Sequence, residues 1–204
     1  MDYFSSDWHL GHYNIMRVAN RPFSSVEEMD NTIMDNMITP LKKGDNIYFI
    51  GDIGYNKETI EEALKRIHKK KINFFWILGN HDMKFPLGEF EQYCHTITPS
   101  LIIKREHTVI HLNHFPMMTW EKSFYNSFHL YGHLHTNSVE LEEVEKRQTG
   151  KAFNVNLEFN DYKPYNLHDI FEIMSKKGDN WDYELLKKER GDGFLEVKRG
   201  RYDK

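Results

Sequence analysis

The chain has a single cysteine, Cys94, so no disulfide can form within it, which suits a reducing compartment. No apolar run approaches the roughly 20 residues needed to span a membrane. The first residues, MDYFSSDWHL, lack both the basic and the apolar stretch of a secretory leader. A cytoplasmic protein with no membrane partner is expected. Charge of one sign is also scarce. A formal net charge of −4 gives no general attraction to nucleic acid and argues against stable binding of a duplex. No internal repeat and no linker divides the 204 residues, whose 39% hydrophobic and 14% aromatic content is that of one globular domain. No feature specifies an oligomeric state. Histidine, by contrast, is plentiful, at 12 residues.

Short runs of β-type residues alternate with helical periodicity. DYFSS reads as a first strand. SSVEEMDNTIMDNMI reads as a helix, because Ser25 and Glu28 have capping-box spacing and Val26, Met29, Ile33 and Met37 recur on one face. NIYFIG is a second strand, KETIEEALKRIHKKK a helix with Ile60, Leu64 and Ile67 inward, and INFFWILG a third strand. This βαβαβ opening predicts an α/β protein with a parallel or mixed sheet covered by helices. After Pro86 come shorter strands, SLIIK, HTVIHLN, FHLYG and AFNVNLEF, and then a helix, LHDIFEIMSKK, preceded by Pro164 and Asn166. From about Gly178 the chain is charged.

Five of the apolar runs end on groups that handle protons or bind metals. YFSSDWH supplies Asp7 and His9, YFIGD supplies Asp52, and WILGNHD supplies Asn80, His81 and Asp82; HLNHFP supplies His114, and HLYGHLH supplies His133 and His135. Strand ends are where ligand sites gather in open α/β sheets. Asp-x-His and His-x-His suit a metal, since alternate residues of an extended segment point the same way. Mixed carboxylate, imidazole and amide donors favour Mn, Fe, Zn or Ni over Ca or Mg. Taken singly, each has an ordinary reading: a turn, a Gly-Asp corner, a satisfied histidine. Together and in this order they do not.

Asp-x-His, Gly-Asp, Gly-Asn-His-Asp, a lone His and Gly-His-x-His resemble the signature of calcineurin-like metallophosphoesterases. SSDWHLGHYNI, RPFSSVEEMD and NVNLEFNDYKPYNLHDI further resemble small bacterial and phage phosphohydrolases. The resemblance implies two packed mixed β-sheets flanked by helices, a four-layer αββα sandwich, over residues 1–175. It does not cover 176–204, which is expected to be a charged extension packed on the same domain. It implies two divalent transition metals, manganese foremost, with Asp7, His9, Asp52 and His135 on the first and Asp52 bridging to a second completed by Asn80, His114 and His133. His81 becomes a non-ligand catalytic histidine beside the substrate phosphate, and Asp82 its neighbour orienting that loop or ring. Two metals about 3.5–4 Å apart can neutralise a phosphate and activate a bridging hydroxide for in-line attack.

The expected activity is hydrolysis of a small phosphodiester, such as a cyclic nucleotide or a nucleotide conjugate. Phosphomonoester or nucleic-acid cleavage is the alternative within the family, and a catalytically silent scaffold or a nucleic-acid accessory protein the alternative outside it. GDIGY stands where protein phosphatases carry Asp-Arg-Gly, which argues against that subfamily. Arg21, Arg17 and His12 are further candidates, as a clamp on the substrate phosphate. His68, His95, His107, His111, His129 and His168 match no family position and read as structural or surface residues. Trp120, Phe124, Tyr125 and Phe128 could floor a base pocket, but core packing accounts for them more simply.

Overall fold

The computed structural model describes residues 1–148 and 150–178, so the charged extension falls almost wholly outside the described residues. Strands β1 (Asp2–Ser5), β2 (Asn46–Ile50), β3 (Asn73–Ile77) and β4 (Thr96–Thr98) run parallel in the order β4-β3-β2-β1. The short strand β9 (Tyr165–Asn166) closes the β1 edge antiparallel. In the second sheet, β5 (Ser100–Arg105) pairs antiparallel with β6 (Thr108–Asn113), and β7 (Phe128–Tyr131) and β8 (Ala152–Asn154) follow in parallel.

The strand alternation divides the core. Ile47, Phe49, Phe74 and Trp76 share one face of the first sheet, and meet Met29, Ile33 and Met37 of α2 (Val26–Ile38) and Ile60, Leu64 and Ile67 of α3 (Lys57–Lys69). On the other face Phe4, Tyr48, Ile50 and Ile77 pack on Ile110, Leu112 and Leu130 of the second sheet. Beyond that sheet, Leu141 and Val144 of α4 (Val139–Arg147) pack on Trp120, Tyr131, Leu134 and Ala152. The result is the four-layer αββα sandwich. A buried side chain of this size contributes about 1.5–3 kcal/mol, and isolated helices of this length are marginal in water. Packing on the sheet therefore holds α2 and α3.

Capping is partly as expected. Ser25 accepts the Glu28 amide (3.1 Å), but Glu28 returns its carboxylate to the Ser24 amide (2.8 Å), so only half of the box forms. The complete box belongs to Asn166 and Asp169, which start α5 (Leu167–Ser175) and so direct Ile170 and Met174 into the core between the sheets. A short helix, α1 (Tyr13–Val18), follows the first strand. Because β1, β2 and β3 are parallel, and β6 and β7 are parallel too, each set presents its C-terminal ends together.

Candidate metal centre

The donors expected from sequence converge. Asp7 and His9 follow β1, Asp52 follows β2, Asn80 and His81 follow β3, His114 follows β6, and His133 and His135 follow β7. Oxygen and nitrogen atoms of Asp7, His9 and His135 lie within 4.8 Å of one another, as do those of Asp7, Asp52 and His114. Asp52 Oδ2 reaches both groups, 3.7 Å from His9 Nε2 and 3.4 Å from His114 Nε2. His114 Nε2 lies 3.1 Å from Asn80 Oδ1, and its ring centroid lies 5.2 Å from that of His133.

Holding these groups together requires unusual backbone. Asp7 (φ 59°), His9 (51°), Asp52 (64°) and His133 (71°) all adopt the left-handed region. Such non-glycine residues cost on the order of 1–3 kcal/mol each and persist where the surroundings over-determine them. Two glycines admit the carboxylates. A Cβ on Gly79 would collide with Asp52 Oδ1, and one on Gly132 with Asp7 Oδ2. A Cβ on Gly79 would also crowd the Asp52 backbone nitrogen, so Gly79→Ala is expected to displace the Asp52 loop and abolish tight metal binding. Equilibrium dialysis with Mn²⁺ checks this; wild-type binding in the variant would mean that the Gly79 loop yields instead.

Asp82 takes the first of its two expected roles. It is fully buried and accepts the amides of Gly79 (2.8 Å), Asp52 (2.8 Å) and Ile53 (3.0 Å) and the Trp76 indole N–H (3.0 Å). With four N–H donors around it, it ties the β2 loop to the β3 loop, and so fills the loop-orienting part of its expected role. Burial, and then the Asp52 charge, push its carboxyl up to about 6.

The electrostatics are those of a cation site. Burial is the largest influence on Asp7 and raises its carboxyl, and the Asp52 charge adds to this. Burial also acts to raise Asp52, but the hydrogen bond and charge of His114 outweigh it and hold Asp52 well below the usual range. His114 donates from Nδ1 to the Ile50 carbonyl (2.8 Å), which turns Nε2 to the site. Although burial opposes its protonation, Asp52 and Asp7 raise it to about 9. His9 Nε2 is buried and has no hydrogen-bond partner among the described residues, and burial drives this imidazole well below its ordinary pKa. An orphaned imidazole nitrogen beside two buried carboxylates fits a group that accepts electron pairs and carries positive charge. The donor set therefore fits divalent metals.

Arg21 departs from its expected role. Its side chain is 0% exposed, so it cannot grip a substrate phosphate. It donates to the carbonyls of Asp7 (2.7 Å) and Trp8 (2.8 Å) and pairs with Glu158 (2.8 Å). Breaking a buried pair leaves an uncompensated charge, worth about 3–5 kcal/mol. Arg21→Ala should therefore lower the denaturant midpoint sharply; a raised KM at unchanged stability would restore the clamp. Arg17 is exposed in the last turn of α1, where a cation suits the helix dipole. His12 stays at the rim, stacked on Tyr55 at 4.7 Å with its ring centroid 5.5 Å from that of His9.

Of the other histidines, His111 and His129 are buried, and His68, His95, His107 and His168 lie at the surface. His129 is buried and bonded to the His111 carbonyl (3.2 Å) and the Met117 amide (3.1 Å). Trp120 and Phe128 are core residues, whereas Phe124 and Tyr125 are exposed. Sequence reasoning did not single out Glu158, whose carboxylate meets His135 Nδ1 at 2.8 Å. It lay within NVNLEF, quoted for resemblance but given no role.

Among known proteins, the family model for calcineurin-like phosphoesterases matches residues 3–193. An uncharacterized protein of Methanocaldococcus jannaschii is 30% identical over 178 residues, spanning 85% of this chain and 91% of its own. The gene 66 protein of Mycobacterium phage L5 is 26% identical over 173 residues, 72% of this chain and 83% of its own. The crystal structure of a protein of unknown function from Aquifex aeolicus shares the fold, with a TM-score of 0.68 at 24% identity over 85% of this chain and 98% of that one.

Proposed function

The chain belongs to the calcineurin-like phosphoesterase family, and from that premise we propose that this metal-dependent phosphoesterase hydrolyses small phosphodiesters such as a cyclic nucleotide or a nucleotide conjugate. The observation that carries the substrate class is the cavity above the donors. It has a volume of about 260 Å³, is floored by Asp52, Asn80, His81, His133 and His135, and is walled by Val18, Asn137, Ser138 and Glu140. That volume suits one phosphate with a small organic group. Glu140 at the mouth opposes a dianionic monoester more than a monoanionic diester.

In this reading Asp7, His9, Asp52 and His135 hold one metal, and Asp52, Asn80, His114 and His133 the other. Among Mn, Fe, Zn and Ni, Mn²⁺ is the ion we favour. When bound, the metals neutralise phosphate charge and lower the pKa of water. The protein's own contribution is to place the reacting groups. The Ile50 carbonyl orients His114, and Asp82 fixes the spacing of the Asp52 and Asn80 loops. His81 is left half-exposed, its Nε2 4.0 Å from Asp52 Oδ2, on the side from which a substrate enters. A silent scaffold has no need of eight such groups in one place.

Cytoplasmic residence is part of the proposal. Cys94 forms no disulfide, and burial pushes its thiol up to about 12, so it is an inert packing residue. The test is a comparison of Mn²⁺-loaded protein on bis(p-nitrophenyl) phosphate, p-nitrophenyl phosphate and 2′,3′-cyclic nucleotides. Higher kcat/KM on the diesters supports the reading, and a monoester preference overturns it.

A further inference from the structure

Glu158 has no role in the reaction as described, yet it is the most fully engaged side chain next to the site. Its Oε1 accepts Arg21 Nε (2.9 Å) and Nη2 (2.8 Å) and meets His135 Nδ1 (2.8 Å). Its Oε2 accepts the Thr136 amide (3.1 Å). The carboxylate is 2% exposed. The same guanidinium donates to the Asp7 and Trp8 carbonyls, so a single chain of bonds runs from the backbone of Asp7 through Arg21 and Glu158 to the ring of His135.

We propose that Glu158 is a positioning residue for His135: paired with Arg21, it fixes the imidazole in the Nδ1–H tautomer and turns Nε2 toward Asp7. The argument is one of donor and acceptor chemistry. A carboxylate beside a guanidinium is ionised and can only accept, so the nitrogen 2.8 Å away must donate. His135 Nε2 is then the lone-pair nitrogen, 3.9 Å from Asp7 Oδ1. The competing arrangement has Asn156 Nδ2 donating to Nδ1, but at 3.4 Å this contact is the longer, and that amide already serves the Leu134 carbonyl at 3.2 Å. Asn154, Asn156 and Glu158 alternate along the chain, and all three side chains bond into the loop 134–136. Carboxylate partners of this kind orient imidazole ligands and raise their basicity.

The proposal rests on His135 being a metal ligand, but not on the identity of the substrate. In metal-free wild type at alkaline pH, where the ring is neutral, long-range ¹H–¹⁵N NMR should place the His135 proton on Nδ1; a proton on Nε2 overturns the proposal. Glu158→Gln keeps the volume but removes the charge. Equilibrium dialysis should show about 10–100-fold weaker Mn²⁺ binding at one of two sites, as for other losses of such partners. In a His135→Ala background the same change should add nothing, which a general loosening of the fold would not produce. Affinity retained within about twofold, or an equal loss in both backgrounds, overturns it. If His135→Ala itself leaves binding unchanged, the ligand assignment fails with it; a loss in His135→Ala but not in Glu158→Gln removes the positioning role alone. Should Glu158→Gln fail to fold, the wild-type spectrum decides the question.

Discussion

Asp52→Asn is expected to lose phosphoester hydrolysis by on the order of 10³-fold or more and to bind at least one metal only weakly. Asn matches Asp in shape, so packing survives and the effect isolates charge. Asp52 Oδ2 stands between His9 Nε2 at 3.7 Å and His114 Nε2 at 3.4 Å, whereas Oδ1 is occupied by the His81 amide at 2.9 Å. The variant therefore removes a negative charge from between the two halves of the site. Asp7 provides the comparison, because it belongs to both compact donor groups. If Asp52 is the bridge, Asp52→Asn weakens both metals and Asp7→Asn chiefly the first. The reverse pattern, read by dialysis and metal analysis, would give the bridge to Asp7. Full occupancy and near-normal turnover in Asp52→Asn would remove the two-metal reading.

What was legible in the sequence was local. The seven proposed ligands follow five apolar strands, so runs of β-type residues and the polar groups just after them identify the ligands without any knowledge of the fold. Helices α2 and α3 were equally legible, because their apolar residues recur at the helical period and belong to a single face. The elements that escaped notice carry weak periodic signals: β9 has two residues, β4 has three, and α4 reads VELEEVEKR, with charge on most positions. AFNVNLEF has the composition of one strand, but the ladder ends at Asn154, where Asn154, Asn156 and Glu158 turn their side chains to the loop after β7.

Arg21 and Glu158 were illegible for a different reason. An arginine in a loop looks the same in sequence whether it faces a substrate or a carboxylate, and its partner lies 137 residues away. Only the fold supplies that proximity, through β1 and the 3₁₀ turn Leu157–Phe159. Asp82 shows the same limit on a shorter scale. Its position beside His81 left open whether it orients the loop or the ring, and its burial and four N–H donors make it a brace of the loop.

His81→Ala is expected to keep both metals yet lose about 10²–10⁴-fold in kcat on substrates that leave as an alkoxide, such as 2′,3′-cyclic nucleotides. In-line displacement places negative charge on the departing oxygen, and an alkoxide departs poorly unless protonated. Imidazole can hold and release a proton near neutrality. The geometry is compatible with that role. Its backbone amide is anchored on Asp52 Oδ1 (2.9 Å), its ring stands 5.4 Å from that of His9, and its side chain remains 44% exposed. Exposure alone does not set His81 apart, because His9 and His114 are buried but the proposed ligand Asn80 is exposed. On bis(p-nitrophenyl) phosphate, whose phenolate leaves unaided, the same variant should lose far less. The ratio of the two losses is therefore the measurement. Equal losses with metals retained would mean that His81 stabilises charge without donating a proton, and loss of metal would make it a ligand after all.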